Sequence, residues 1–526
     1  MNKTSILSLL LVGTIGLSGC GKKFFELTPT GDFSNKQLQQ ASLWNTDILL
    51  GQIGGQTALM YKAGVGGTGG HQDFGQKTID IFTDLMSSDM EMYALNYGHF
   101  GSLEDLTGTK ANNNSNYGNW RYLYKVVFET NSFFNVNGSD EKANEQAADL
   151  ALQKSFFGQA KVMRGFAYYQ LANLYAKPYA EDKTAPCVPL RLKLEDEEML
   201  TPSTVEEVYN QVIKDLETGY ENLKEKKITL SGPKNAINAD IALGYLAYAY
   251  LQTEQWKKAY DAATQLIATG RYPLMTAQQT YESGFNHYSN PEFIWSPDIT
   301  SSNTGQLVTF WGHMDVFTFS YASVGDAKRI NSKLYDEIRT DDIRKNWFLI
   351  DSTEHLKPER YKYIPYRKFF DAGRKEQGDK AWTNDIEYLR IAEMYLIAAE
   401  TAARMDKLDD AKKYLNNLLD NRYNYLLHKD LPQEEQQAAI AKGVEANQKR
   451  IADMNKEQLL EEILHNWRVE MWGEGRALIT KKRFHKDMER TASARSFPGQ
   501  TIKWDDPRLT FEIPQKEKEN NINIPH

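Results

Sequence analysis

Two segments far apart in the chain carry the same pattern of small and large residues, and that pattern limits the folds open to it. Leu246–Ile267 reads LAYAYLQTEQWKKAYDAATQLI, and Leu389–Leu419 contains IAAETAARMDKLDDAKKYLNNLL. A constant shift of 152 residues sets Ala247 on Ala399, Trp256 on Leu408, Ala259 on Ala411 and Leu266 on Leu418. Small residues meet small ones and large meet large. Each segment is therefore expected to fold as two antiparallel helices that approach closely through Ala, with Trp256 or Leu408 filling the wedge. This is the logic of a tetratricopeptide repeat. A lone helical hairpin that uses Ala for close approach is the alternative.

Other stretches repeat every three to four residues. Trp120, Tyr124, Val127, Asn131 and Phe134 line one face of Tyr117–Phe134, and Ala160, Met163, Ala167, Leu171 and Leu174 line one face of Gln159–Tyr175. After Pro202, Thr204 and Glu207 stand at capping-box spacing ahead of Val205, Val208, Val212, Leu216 and Leu223. Between the helical pairs, Tyr272–Asp385 is rich in Gly, Ser, Asn, Pro and aromatics, and Gly51–Gly118 is similar; long loops and short strands are expected in both. The expected fold class is mainly α: tetratricopeptide-like helix pairs forming one domain over 36–526, with loop-rich insertions near 51–118 and 272–385 and a few short strands. Such insertions on a rigid scaffold are where binding surfaces usually lie.

The N-terminus reads as a processing signal. Met1–Lys3 is a short basic start, Thr4–Gly16 is apolar, and Leu17-Ser18-Gly19-Cys20 resembles a bacterial lipobox. In that reading residues 1–19 are removed, the Cys20 thiol is diacylated, and 20–35, with Thr28-Pro29-Thr30-Gly31-Asp32, is a linker. An ordinary signal peptide or a short anchor is the alternative. Cys187 is then the one remaining thiol, expected buried and inert.

Several chemistries lack support. The net charge is −8, so there is no cationic surplus to displace counterions from nucleic acid. Gly64, Gly66 and Gly69 match dinucleotide-fingerprint spacing, but no buried strand is expected before them, and Gln follows Gly75 where a phosphate loop needs Lys. The nine His are scattered without helix-face pairing, so no metal site or cofactor is expected. Asp341-Asp342, Glu461-Glu462 and Asp505-Asp506 are sequence neighbours whose side chains diverge, and solvated surface acids are the expectation. A glycosidase pair assembled from distant loops stays open, with no positive feature behind it. The unusual figure is aromatic content, 12% with 29 Tyr and 10 Trp.

With these features together, the chain resembles the SusD/RagB-like lipoproteins of Bacteroidetes-type outer membranes along nearly its whole length. Trp120, Tyr124 and Asn131 match that family's early helix, and Lys161–Tyr169 is similar to its K-x-x-R-A-x-x-Y-F helix, with Gly165 in the usual Ala position. Val208, Tyr209, Ile213, Asp215 and Leu216 follow its next segment. Arg390–Leu396 with Ala399-Glu400 is close to its most specific signature, and Arg468, Glu470, Met471, Glu474 and Gly475 match its R-x-E-L-x-x-E-G pattern. Asn466-Trp467 and Thr480-Lys481 depart from it. Arg390, Glu393 and Glu400 are expected to tie helices together, since they share helix faces with Ala.

The resemblance implies a non-enzymatic, lipid-anchored, surface-exposed outer-membrane protein that binds a nutrient polymer and delivers it to a SusC-like TonB-dependent transporter. The ligand would be a glycan or oligosaccharide; a peptide ligand, a surface glycoside hydrolase and a tetratricopeptide adaptor are the alternatives. Ligand residues in the family come from irregular loops without a shared motif, so candidates here follow from composition: Tyr93, Tyr97, His99 and Phe100 before the Trp120 helix, Trp311, Phe317 and Tyr321 in the central insertion, and Tyr61, His71 and Asp73 beside the Gly-rich run. Aromatic faces stack on apolar sugar C–H surfaces. Trp295, Trp256 and Trp472 are expected in the core.

Overall fold

The computed structural model describes residues 34–138, 147–194, 199–228, 230, 233–317, 319–351, 361–373 and 382–525. Residues 1–19, Cys20 and most of the 20–35 linker lie outside them. The helices that build the scaffold are α1 (Gln76–Met86), α2 (Asn114–Asn137), α3 (Leu150–Tyr175), α4 (Val205–Leu223), α5 (Ala239–Gln252), α6 (Trp256–Ala268), α7 (Ile391–Arg404), α8 (Leu408–Asp420) and α9 (Lys456–Glu470). The short strands β1 (Met90–Met92), β2 (Phe293–Trp295), β3 (Lys328–Ile330) and β4 (Leu389–Arg390) pair as β1 with β3 and β2 with β4, both antiparallel.

The two related segments are the hairpins α5–α6 and α7–α8, and a shift of 152 residues maps the helix ends of one pair onto those of the other. Their turns match as well. Glu254 and Asp406 both take the left-handed conformation, at φ 57° and 61°, and Gln255 N donates to Tyr250 O as Lys407 N does to Ala402 O, each at 2.9 Å. The buried Ala247, Ala259, Ala399 and Ala411 let the helices close, α6 packs on α7, and α2, α3 and α4 extend the stack. Thr204 caps α4 in a capping box with Glu207. Between α3 and α4 the approach is closer still: a Cβ on Gly219 would stand 2.6 Å from Val162 Cγ2.

Buried ion pairs hold the stack in register. Arg164 Nε meets Asp215 at 2.7 Å and Lys161 reaches the same carboxylate at 3.2 Å. Arg390 joins Glu292, Glu470 and Glu474 at 2.7–2.8 Å, while Arg422 also binds Glu292 and Glu470. Glu393 is tied to Arg476, and Glu400 to Arg404 and Arg483. Asp342 and Glu462 depart from the expected solvated acids, because Arg344 and Arg450 draw them into mostly buried ion pairs.

The 51–118 stretch is less loop-like than its composition suggests. It holds the end of the helix Thr46–Ala58 and all of α1, every residue of which is buried. Lys77 pairs with Glu387 and Asp80, and Asp84 accepts the Gly473 amide at 2.7 Å. Trp295, Trp472 and Cys187 are buried, Trp256 is half-buried, and burial pushes the Cys187 thiol up to about 12.

Candidate functional site

Strand pairing brings the two insertions together. β1 runs antiparallel to β3 with Met92 opposite Lys328, so the loop leaving β1, at 93–100, lies beside the loop entering β3, at 319–327. Asp326 fixes the junction by accepting the amides of Asn96 at 2.7 Å and Tyr97 at 3.2 Å, and Asn96 Nδ2 donates to Val324 O. A third loop, 64–73, folds onto them. The Asp73 carboxylate accepts from Gly66 N, Thr68 N and Thr68 Oγ1 at 2.8–3.1 Å, and Gln72 Oε1 accepts the Phe100 amide.

The three loops meet in a cluster of rings. Tyr321 lies at its centre: its ring is 4.4 Å from His99 edge-on, 5.4 Å from Tyr97 edge-on and 4.9 Å from His313 in a stacked arrangement. Tyr97 and His99 lie near parallel at 6.5 Å, and His71 and His99 at 5.9 Å. The Tyr321 hydroxyl hydrogen-bonds His71 Nδ1, and His313 Nε2 donates to His71 O at 2.9 Å, which sets its tautomer. Tyr97 is 55% exposed, His71 is exposed and His99 half-buried, while Tyr321 and His313 form the floor.

Burial holds the His99 and His313 imidazoles below their ordinary values, further lowered by the Lys328 ammonium, so both rings are neutral at neutral pH. Burial likewise pushes the Lys328 ammonium beneath them down to about 7. The exposed face is aromatic. That suits a neutral, hydroxyl-rich ligand with apolar C–H faces.

Of the ten expected contact residues, His71, Tyr97, His99 and Tyr321 come together here. Three are core residues instead. Phe100 is fully buried between Phe74 and Phe82; Trp311 is 2% exposed, with its indole N–H donated to Asn384 O; and Phe317 packs on Tyr366 and Phe370. None of them offers a face to a ligand. Asp73 is buried as the clamp of its loop, Tyr93 is exposed beneath the Arg329 guanidinium, and Tyr61 is half-buried against Asn303. Sequence reasoning did not select His313 or Phe319, the latter 62% exposed two residues before Tyr321. A His flanked by apolar residues in a Gly- and aromatic-rich insertion was the only signal for the first. Among the described residues, no group of three or more His, Cys, Asp or Glu could hold a metal ion, and no helix is long and apolar enough to cross a membrane.

A helix-hairpin scaffold presenting an aromatic cluster on loops defines a class, and comparison with known proteins places the chain in it. A SusD-like family model described as "starch-binding associating with outer membrane" matches residues 74–251, and the SusD family model matches residues 320–523. The chain belongs to the SusD/RagB-like family. A SusD-like carbohydrate-binding protein from Bacteroides vulgatus superposes with a TM-score of 0.74 at 23% identity, over 91% of this chain and 97% of the other. A SusD superfamily protein from Bacteroides thetaiotaomicron gives 0.72 at 23% identity, over 91% and 98%. A SusD-like protein of Formosa agariphila is 21% identical over 240 residues, which span 44% of this chain and 42% of that protein's length.

Proposed function

We propose that this protein captures a glycan at the outer surface of the outer membrane, held there by lipid on Cys20, and passes it unaltered to a SusC-like TonB-dependent transporter. The observation that carries the reading is the ring cluster in which Tyr97, His99 and His71 lie over Tyr321, held in place by three loops. Its outer faces match sugar rings, and its backbone ties keep it preorganised. The family's description as starch-binding and the carbohydrate-binding Bacteroides vulgatus neighbour point to the same ligand class. Capture without turnover fits the ion pairing of Asp342, Glu462 and Asp506, which leaves these members of the acid pairs engaged with Arg.

The test is a binding screen against soluble plant, host and bacterial polysaccharides, with peptide mixtures in parallel. At least one polysaccharide should bind, and Tyr97→Ala should cost about 1–3 kcal/mol of that binding while the fold is unchanged. Retention of peptides with no polysaccharide bound would replace the glycan reading by the peptide one, and sugar release on prolonged incubation would make the protein a hydrolase.

A further inference from the structure

A separate cavity gathers positive charge with no acid to balance it. It lies between the middle of α3, the end of α4 and the start of α5, has a volume of about 230 Å³, and shares no lining residue with the ring cluster. Lys226, Lys227 and Lys234 line it, and among the described residues no Asp or Glu does. None of the three is in an ion pair with a carboxylate among the described residues. Asp240, at the start of α5, is already engaged by Arg271. Buried cations such as Lys77, Arg164 and Arg390, by contrast, each meet a carboxylate.

Lys234 is the half-buried member of the set. Its Nζ donates to Asn290 O at 2.7 Å, which uses one of its three N–H groups and leaves two to spend. Burial pushes the ammonium down to about 8 with no carboxylate to counter it, so at neutral pH the group is charged and uncompensated. Lys226 is turned partly aside, toward Ser155 Oγ at 3.4 Å and the Phe156 ring. Gln159 is an independent signal. It is 5% exposed and lines this cavity, and its side-chain amide has no hydrogen-bond partner among the described residues. Both amide atoms keep accessible surface, unlike the sealed orphans of the core. An unused, reachable donor beside an unbalanced ammonium is what an anion requires.

We infer that this cavity is a subsite for an acidic sugar, whose carboxylate or sulfate group is held by Lys234, Lys227 and the Gln159 amide while a C–H face of its ring lies against Leu230 and Pro233. Those two apolar residues are exposed, Leu230 by 40%, so the lining asks for an occupant with one anionic end and one less polar face. The space equals that of about seven to eight waters at about 30 Å³ each, enough for one ring and too little for a chain. A cation would be repelled, and a neutral sugar would leave the ammonium unbalanced. The choice of a sugar as carrier of the charge rests on the carbohydrate reading above; the need for an anion does not.

The purified protein is titrated calorimetrically with glucuronate, galacturonate, glucose 6-sulfate, glucose and inorganic sulfate, one at a time and at one ionic strength. At least one acidic sugar should bind and glucose should not; the uronates report a carboxylate site and the sulfate ester a sulfate site. Lys234→Gln should weaken that binding at least about tenfold and the exposed Lys227→Gln several-fold, both folded as judged by circular dichroism. Tyr97→Ala should bind the acidic sugar as the parent does. The subsite is overturned if no acidic sugar binds, if glucose or inorganic sulfate binds as tightly, if both lysine variants bind like the parent, or if Tyr97→Ala abolishes the binding. Polysaccharide capture that depends on Tyr97 reports on the ring cluster and acidic-sugar binding that depends on Lys234 reports on the cavity, so the two readings fail separately.

Discussion

Glu470 shows what the residues that carry the family resemblance do in the molecule. Its carboxylate accepts from Arg344, Arg390 and Arg422, and it is fully buried. Attraction to three guanidiniums outweighs the cost of burial and holds it well below the usual carboxylate range. Glu470→Ala removes the carboxylate that all three guanidiniums share, leaving an excess of buried positive charge beside Glu292, Glu474 and Asp342, and should cost about 3–5 kcal/mol, read as a lower urea midpoint. An unchanged midpoint would mean that the cluster contributes nothing to stability. Its neighbour Glu474 governs pH dependence. Burial raises its pKa, but Arg390 and Lys368 more than reverse this, leaving it at about 2 against 4.5 for the unperturbed group. A folded pKa below the unfolded one means stability that is complete above about 4.5 and lost as pH falls toward about 2. Glu474→Gln should therefore flatten the acid limb of a stability–pH curve between those values. Tyr97, His99, His71 and Tyr321 were legible because loops rich in aromatic residues stand out in composition. Phe100, Trp311 and Phe317 were not distinguishable from them, since a ring's facing is set by tertiary contacts that composition does not carry.

Among the elements, the hairpins were legible because close packing of Ala faces leaves a pattern that survives the loss of sequence identity. The turn between the helices is legible only afterwards. Glu254 and Asp406 occupy left-handed positions where glycine is the favoured residue, at about 1–2 kcal/mol of local cost. Glu254→Gly should stabilise the protein by up to about 1 kcal/mol, seen as a higher melting temperature. Asp406→Gly should gain less, because it also removes the 2.6 Å ion pair from Lys456 to Asp406, a contact worth about 0.2–1 kcal/mol at an exposed site. If Asp406→Gly stabilised more than Glu254→Gly, the equivalence of the two turns would be wrong. Helix α1 escaped notice for a different reason. It is amphipathic, with Lys77, Asp80 and Asp84 on one face, but that face is buried as well, because charges and amides from distant segments match it, and the Gly-rich composition around it reads as loop. The β1–β3 pairing, which joins loops more than 200 residues apart, is likewise absent from any local pattern.

At the scale of the whole molecule, the proposed function requires a body held at a membrane without crossing it. No described helix can span a bilayer, and a net charge of −8 gives no general attraction to anionic lipid headgroups. The proposed attachment is by acyl chains: one chain gives only marginal, reversible binding, whereas a diacylated cysteine supplies the second. Of the two cysteines, Cys20 is the proposed site, because Cys187 is buried and its thiol is pushed up to about 12, leaving almost no thiolate to react. Cells fed labelled palmitate should incorporate it into this protein, and Cys20→Ala should abolish the label. The variant should move from the outer-membrane fraction to the soluble one while keeping its circular dichroism spectrum and glycan affinity, since the scaffold and ring cluster lie wholly within residues 34–525. A Cys20→Ala protein that stayed with the outer membrane would show that something other than lipid holds it there. Under the proposed function, contact with the transporter would then have to supply the attachment itself.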